Sequence, residues 1–244
     1  MNQHPRRDGV TLIAVAILFS VPFSILSGSF DYPRILRRPA VEILARFHAG
    51  GASLVMTWEL FVLAALGLVP AVLAMRRALQ TVDGHAHAEG AAFGLFAAAL
   101  QALGLIRWVF AVPGLAGAVA DVHASAASKA GAVAAFQALH QYAGVGVGEH
   151  LGQLCTVAWL GLSAASQWRV DRLGGALAMG AAALILGGLS EGFSTVLAFD
   201  AGAASVITPL GFGLLTLWLI WTGVALARRG RLGGSATSNR LAAA

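Results

Sequence analysis

Long apolar stretches separated by short polar segments make up most of this chain. About 20 apolar residues cross the hydrocarbon core of a bilayer, and six stretches reach that length. We predict spans at residues 10–26, 51–75, 91–112, 133–162, 173–199 and 206–227. The pattern predicts an all-α, polytopic six-helix membrane bundle. We expect one domain over residues 1–230 and a disordered tail over residues 231–244.

Composition supports a membrane protein. Hydrophobic residues make up 58% of the chain and charged residues 11%, against about 25% charged residues in soluble domains. The net charge is +5, but the basic residues cluster at the ends of apolar stretches, where they set topology. We therefore expect the lipid bilayer as the partner and no nucleic acid. A single cysteine, Cys155, excludes an intrachain disulfide. The oligomeric state is open.

Arginine clusters predict the orientation. They lie at residues 6–7, 76–77, 169–172 and 228–231, at alternate ends of successive spans. The positive-inside rule assigns that side to the cytoplasm, with both termini there. The bias toward Arg, Ala and Gly is typical of a GC-rich bacterial genome, so we expect the bacterial inner membrane. The first span is longer than a signal-peptide core and lacks an A-x-A site, which favours an uncleaved anchor.

The segment between the first two spans breaks this rule. SFDYPRILRRPAVEILARFHAGG lies on the predicted outer side, and it contains Arg34, Arg37, Arg38 and Arg46. Its second half has apolar residues at helical spacing, namely Val41, Ile43, Leu44 and Phe47. We predict a short amphipathic helix lying on the outer leaflet. The alternative is that the arginines face inward and bind an anion.

Ionisable residues inside the spans indicate a site. They are Glu59, Arg107, Glu149, His150 and Glu191. A charge in hydrocarbon costs roughly 2.5–3.5 kcal/mol on insertion scales, so such residues face the interior of a bundle and mark function. With the predicted orientation, all lie between the midplane and the outer surface, which predicts a pocket opening outward. Further predicted lining residues are Trp108, His140, Tyr142 and Gln153, with Asp200 at the rim.

The fourth span should carry a polar stripe. At about 100° per residue, Tyr142, Glu149 and Gln153 fall within roughly 40° of one another on an α-helix. His150 lies at the edge of this stripe, and His140 lies nearly opposite Glu149.

The predicted chemistry starts from Arg107. We expect it to pair with one of three glutamates, at positions 59, 149 and 191. One arginine does not neutralise three carboxylates, so at least one carboxyl should be protonated or bound to a cation. A protonated Glu149 beside His150 would suit proton transfer or general acid catalysis. The alternative is an inert Arg–Glu bridge that orders the bundle.

Three functions fit these residues. The first is binding, in its stronger form proton-coupled transport, of a small molecule, with Arg107 as anion anchor and Glu149 as proton carrier. The second is an intramembrane enzyme that acts on a lipid-like substrate with Glu/His acid–base chemistry. The third is a structural or assembly subunit. Whether the protein is an enzyme is open. Nucleotide-binding motifs are absent from the sequence, so a nucleotide-driven pump is not supported.

No cofactor is predicted. Helix-bundle metal sites use Glu-x-x-His, which places both ligands on one face, and the spans lack this motif. The alternative is a metal site assembled from His48, His140, His150 and a glutamate, or a bis-His haem on the same histidines. His85 and His87 fall in a predicted inner loop, where histidines are usually solvated.

Glycines recur four residues apart. The pairs are Gly90/Gly94, Gly144/Gly148 and Gly188/Gly192. Small residues at this spacing allow close approach of helices in membranes. We therefore expect Glu149 and Glu191 to lie near tight helix crossings.

Three segments carry a resemblance to a known family: FHAGGASLVMTWELF, LIRWVFAVPGLAGA and FQALHQYAGVGVGEHLGQLCTVAW. They resemble an uncharacterised bacterial multi-pass membrane family, filed as a domain of unknown function. The resemblance is clearest over residues 45–165. It implies a six-helix membrane bundle and supplies no activity and no catalytic residues.

Overall fold

Helices account for the regular structure of the described chain. The computed structural model describes residues 5–80, 82, 84–197 and 204–241, and of residues 84–87, 204–205 and 229–241 only the backbone. The α-helices are α1 Pro5–Phe30, α2 Ala40–Leu79, α3 Gly84–Leu105, α4 Arg107–Phe110, α5 Val112–Ala120, α6 Ala126–Leu139, α7 Gly152–Gln167, α8 Arg172–Gly188, α9 Ser190–Leu197 and α10 Ala204–Leu241. A 3₁₀ helix covers Arg34–Arg37 and a π-helix covers His140–Leu151. The predicted all-α class is confirmed.

Five helical stretches among the described residues are long and apolar enough to cross a membrane. They are Pro5–Phe30, Ala40–Leu79, Ala88–Ala120, Arg172–Leu197 and Val206–Arg228. The remaining predicted span, residues 133–162, lies in a helical rod that runs from α6 through the π-helix into α7 without a gap. Each of its three parts is shorter than 18 residues. The protein is an α-helical membrane bundle.

The long helices form a closed ring. α1 packs against α2 and α10, α3 packs against α2 and α7, and α8 packs against α7 and α10. The first helix is therefore an integral part of the bundle.

One end of the bundle collects the predicted arginine clusters. Arg77 near the end of α2 donates two hydrogen bonds to Asp8 at the start of α1, at 3.0 and 2.6 Å. Asp171, which caps α8, accepts a hydrogen bond from Trp221 of α10 at 2.9 Å. Gly9 of α1 lies against Gly223 of α10, so the four clusters lie at the same end of the bundle, as the sequence predicts. Which face of the membrane this end occupies stays a prediction.

Two of the three glycine pairs lie at tight crossings. A Cβ built on Gly148 would lie 2.9 Å from the Cα of Gly104, and one on Gly94 would lie 2.5 Å from Val72. Real Cβ contacts do not occur below about 3 Å, so these helices approach only because side chains are absent. A Cβ on Gly188 would overlap Thr208, whereas Gly192 makes an ordinary 3.6 Å contact. A further close pair, Gly9 with Gly223, was not predicted.

The amphipathic helix predicted on the outer leaflet is present, but it packs differently. It forms the first turns of α2, before a break at Gly51, where φ is 56° and ψ is −152°. A positive φ favours glycine. Ile43, Leu44 and Phe47 are buried within the protein, whereas Val41 is 54% exposed. Phe47 stacks on Trp108 with ring centroids 5.6 Å apart, so an aromatic core, and not lipid, covers this apolar face.

The order of the C-terminal tail stays a prediction. The backbone of α10 continues to Leu241. The side chains from residue 229 onward and all of residues 242–244 lie outside the described part of the chain.

Candidate functional site

Arg37 is the centre of a charged cluster at the end of the bundle opposite the N-terminus. Its Nη2 donates to Glu149 Oε2 at 2.5 Å and its Nε donates to Glu191 Oε1 at 3.1 Å. All three side chains are no more than a quarter exposed. Arg37 thus ties the 3₁₀ helix to both the π-helix and α9. Burial alone would lower the pKa of Arg37. The carboxylates of Glu149 and Glu191 have the opposite and larger effect, so the pKa is raised.

The expected pairing of Arg107 with a glutamate was wrong. Its Nη1 donates to the carbonyl of Gly104, and its Nη2 lies 3.4 Å from Nδ1 of His140. Within the described residues Arg107 has no carboxylate within ion-pair distance. The reason is that Arg37 takes the carboxylates of Glu149 and Glu191.

Charge balance in the cluster follows from this arrangement. Two arginines, Arg37 and Arg107, lie near two carboxylates, those of Glu149 and Glu191. An ion pair favours the ionised form of both partners. The expectation did not count Arg37 as a partner of Glu149, and this pairing removes the reason to expect a protonated Glu149.

Gly144 makes room for the buried guanidinium of Arg107. A Cβ built on Gly144 would overlap Nη2 of that side chain and would lie 2.7 Å from its Cζ. The guanidinium also lies against the indole of Trp108, with Cζ 5.1 Å from the ring centroid. A cation on the face of a tryptophan ring is stabilised by the ring quadrupole.

His140 links Arg107 to the segment before α2. Its Nε2 lies 3.1 Å from the carbonyl oxygen of Leu36 and its ring stacks on Phe136. A carbonyl only accepts, so Nε2 carries the proton and Nδ1 accepts from Arg107. This assigns the neutral tautomer. Both ring nitrogens are occupied, so His140 is not positioned as a metal ligand.

A cavity of about 90 Å³ lies beside Arg107. Its polar lining residues are Gln101, Arg107, Glu149 and Gln153, and its aromatic ones are Phe19, Phe23, Tyr32, Trp58, Phe61, Trp108 and Phe212. Trp58 and Trp108 form a parallel stack, with centroids 4.6 Å apart and an interplanar angle of 9°. Four predicted site residues therefore meet at one cavity: Arg107, Trp108, Glu149 and Gln153.

Two of the lining side chains have unused hydrogen-bond donors. Nε1 of Trp58 and Nε of Arg107 are buried and have no partner among the described residues. Trp58 is fully buried and Arg107 is 6% exposed. A buried donor without a partner costs about 1–3 kcal/mol. Both residues line the cavity, so each brings an unpaired N–H donor to that part of the bundle.

Tyr142 lies outside this site. It is 76% exposed, on the outer surface of the bundle. The predicted stripe assumed an α-helix, but residues His140–Leu151 form a π-helix. A π-helix has i→i+5 hydrogen bonds and more residues per turn than the 3.6 of an α-helix. The seven-residue step from Tyr142 to Glu149 therefore rotates the chain about the helix axis by a different angle. Tyr142 therefore turns away from Glu149, while Glu149 and Gln153 stay together.

Other predicted residues are dispersed. His150 packs edge-on against Phe193, at 5.1 Å between centroids, and lines a separate cavity of about 10 Å³ beside Glu191. Glu59 does not line either cavity, and its Oε2 is buried without a partner among the described residues. His48 is exposed.

The metal site suggested as an alternative is not assembled among the described residues. In the part of the chain that the structure describes, no three His, Cys, Asp or Glu side chains converge as metal ligands. Asp200 and the side chains of His85 and His87 lie outside the described residues.

Sequence reasoning missed the lining residue Tyr32, and it included Arg37 only in the alternative that the arginines of this loop face inward. Arg37 does face inward, where it pairs with Glu149 and Glu191. Burial raises the pKa of the Tyr32 phenol, and the nearby Glu149 carboxylate raises it further. Gln101 could have been predicted to face the interior, because a lone glutamine within an apolar span needs a polar partner there. It donates to Thr156 at 3.0 Å.

Comparison with known proteins gives a family and no function. No curated protein and no solved structure matches the chain significantly. A family model described as "Domain of unknown function (DUF4386)" matches residues 8–223. This confirms the expected membership in an uncharacterised family and extends it beyond residues 45–165. Because the match covers most of the sequence, the chain belongs to the DUF4386 family.

Proposed function

We propose that this membrane protein binds a small molecule in the aromatic cavity beside Arg107. The observation that carries the proposal is that two residues lining the cavity, Trp58 and Arg107, each have a buried N–H donor with no partner among the described residues. Small-molecule sites are mostly apolar concavities with a few placed polar groups. The positive-inside rule would place this cavity in the outer half of a bacterial inner membrane, with both termini in the cytoplasm.

The surroundings favour an uncharged ligand. The two arginines and two glutamates of the cluster already balance, so a ligand with net charge would stay uncompensated in a membrane interior. The stacked indoles suit a flat or apolar body, and the two donors suit an oxygen acceptor. A water needs roughly 10–15 Å³ and a 150 Å³ cavity holds benzene. A cavity of about 90 Å³ therefore fits a molecule of few heavy atoms.

Binding is preferred to proton-coupled transport and to catalysis. The pairing of Glu149 with Arg37 removes the reason to expect a mobile proton there. His150, the expected base, lines the smaller cavity and not the aromatic one. The ligand is thus proposed as bound cargo or effector and not as a substrate of Glu/His chemistry.

Native mass spectrometry of protein purified in mild detergent tests this proposal. We expect a defined adduct of one small molecule on the wild-type chain. Trp58→Phe keeps the aromatic ring but removes the donor, so it should lower the adduct's occupancy. Trp218→Phe is the matched control, because Trp218 is a buried indole outside the cavity whose Nε1 donates to Gln167 at 2.8 Å. A wild-type spectrum with the bare chain or bulk lipid alone would contradict the proposal.

A further inference from the structure

A further concavity lies between α1 and α2. It has a volume of about 790 Å³. Its apolar wall consists of Val10, Ala14, Val15, Leu18, Gly67 and Pro70, and its end at the start of α1 carries Arg6 and Arg7. The groove shares no lining residue with the aromatic cavity.

The dimensions of the groove match one membrane leaflet. From residue 5 to residue 18 an α-helix rises roughly 20 Å at 1.5 Å per residue. Half of the 30 Å hydrocarbon core is roughly 15 Å, and the headgroup layer adds to it. The groove begins at the basic end of the bundle and runs toward the midplane. Its wall is open to lipid, since Val10 is 55% exposed.

On α2 the groove is lined by Gly67 and Pro70, neither of which has a long side chain. Gly67 faces Leu18 so closely that a Cβ on the glycine would lie 3.2 Å from the leucine Cδ2. Together with the ring of Pro70 it leaves a shallow apolar channel beside α1. Such a channel accepts an acyl chain without needing any polar partner.

The arginines at the end of the groove determine which lipid headgroup it would bind. Arg6 and Arg7 are exposed, and among the described residues neither forms an ion pair. Arg76 and Arg77 lie at the same end, with Arg77 against Asp8. Basic pockets between membrane helices attract anionic head groups, and Arg donates to phosphate in a planar fork. We propose that the groove binds one anionic phospholipid, with its acyl chain along α1 and its phosphate at Arg6 and Arg7.

The test uses nanodiscs of equal phosphatidylglycerol and phosphatidylcholine, with native mass spectrometry of the released protein. We expect phosphatidylglycerol to be enriched in the retained lipid. Arg6→Gln/Arg7→Gln should reduce that enrichment by on the order of tenfold. Arg169→Gln/Arg172→Gln is the matched control, since it removes the same charge from exposed arginines at the same end but outside the groove.

A groove-filling variant separates a site from a general surface effect. Ala14 is exposed on the groove wall, so Ala14→Trp should fold and reduce retention of both lipids. Equal loss of enrichment in the two arginine double variants would overturn the proposal. So would unchanged lipid retention in Ala14→Trp at an unchanged melting temperature.

Discussion

Arg37 and Glu149, 112 residues apart in the chain, are joined by a 2.5 Å hydrogen bond between Nη2 and Oε2. The same guanidinium reaches Glu191. This one side chain therefore connects the loop after α1 to the π-helix and to α9, and it closes the charged end of the bundle over the aromatic cavity.

Replacing Arg37 with glutamine should destabilise the protein. It would leave two carboxylates in a partly buried site without their cation. Surface pairs contribute up to about 1 kcal/mol and breaking a buried pair costs about 3–5 kcal/mol, so we expect about 2 kcal/mol for this intermediate exposure. Thermal unfolding in detergent measures the change. The control is Arg38→Gln, because Arg38 is exposed and has no ion pair among the described residues. Equal melting temperatures for the two variants would refute the role of Arg37.

A double-mutant cycle tests the Arg37–Glu149 pair itself. If the pair interacts directly, Glu149→Gln should cost less in the Arg37→Gln background than in the wild type. Additive effects would mean that the two residues act separately.

The phenol of Tyr32 predicts a pH dependence. Burial raises its pKa above the ordinary 10.0. In the unfolded chain the phenol ionises near its ordinary pKa, whereas in the folded protein it stays neutral to higher pH. The stabilisation is complete below pH 10 and is lost as pH rises from there toward the folded-state pKa.

A spectroscopic titration checks this. The chain has two tyrosines, Tyr32 and Tyr142, so Tyr142→Phe leaves Tyr32 as the sole phenol. Its phenolate absorbance should develop only above pH 10 in the folded protein and should shift to lower pH on unfolding. A folded-state titration at the ordinary pKa would contradict the desolvation of the Tyr32 phenol.

Part of the site was predictable from single residues. Arg107, Glu149 and Gln153 are polar positions in apolar sequence, and the cost of a charge in hydrocarbon requires such positions to face an interior. The glycine spacing likewise predicted close helix crossings, because a missing side chain acts locally.

The rest depends on long-range contacts that one sequence does not reveal. Arg37 lies in a polar loop, where the same physics allows it to face water, lipid head groups or a carboxylate. The pairing of Arg37 with Glu149 depends on how the loop folds back over the bundle. The prediction for Tyr142 was wrong for a local reason. The π-helix changes the rotation per residue, and the amino-acid pattern does not distinguish it from an α-helix.

Gly144 should not tolerate alanine. The added Cβ would collide with the guanidinium of Arg107, which is confined by Gly104 and His140. Overpacking of this kind costs about 1–3 kcal/mol. Gly146→Ala is the control, because its nearest neighbour would be 3.6 Å away and both glycines lie in the π-helix. The comparison of thermal unfolding cancels the common effect of replacing glycine. Identical losses in both variants would show that Arg107 is free to move.

His140 should hold the loop after α1 against the bundle. Its Nε2–H donates to the carbonyl of Leu36, one residue before Arg37. In His140→Ala that carbonyl and the guanidinium of Arg107 both lose a partner, and Phe136 loses a stacked ring. We expect faster hydrogen–deuterium exchange over residues 31–39, because local opening becomes less costly. His48→Ala removes an exposed histidine and serves as the control. Exchange that rises throughout the bundle would indicate general destabilisation. Unchanged exchange in residues 31–39 would mean that the contact with His140 contributes little to holding the loop against the bundle.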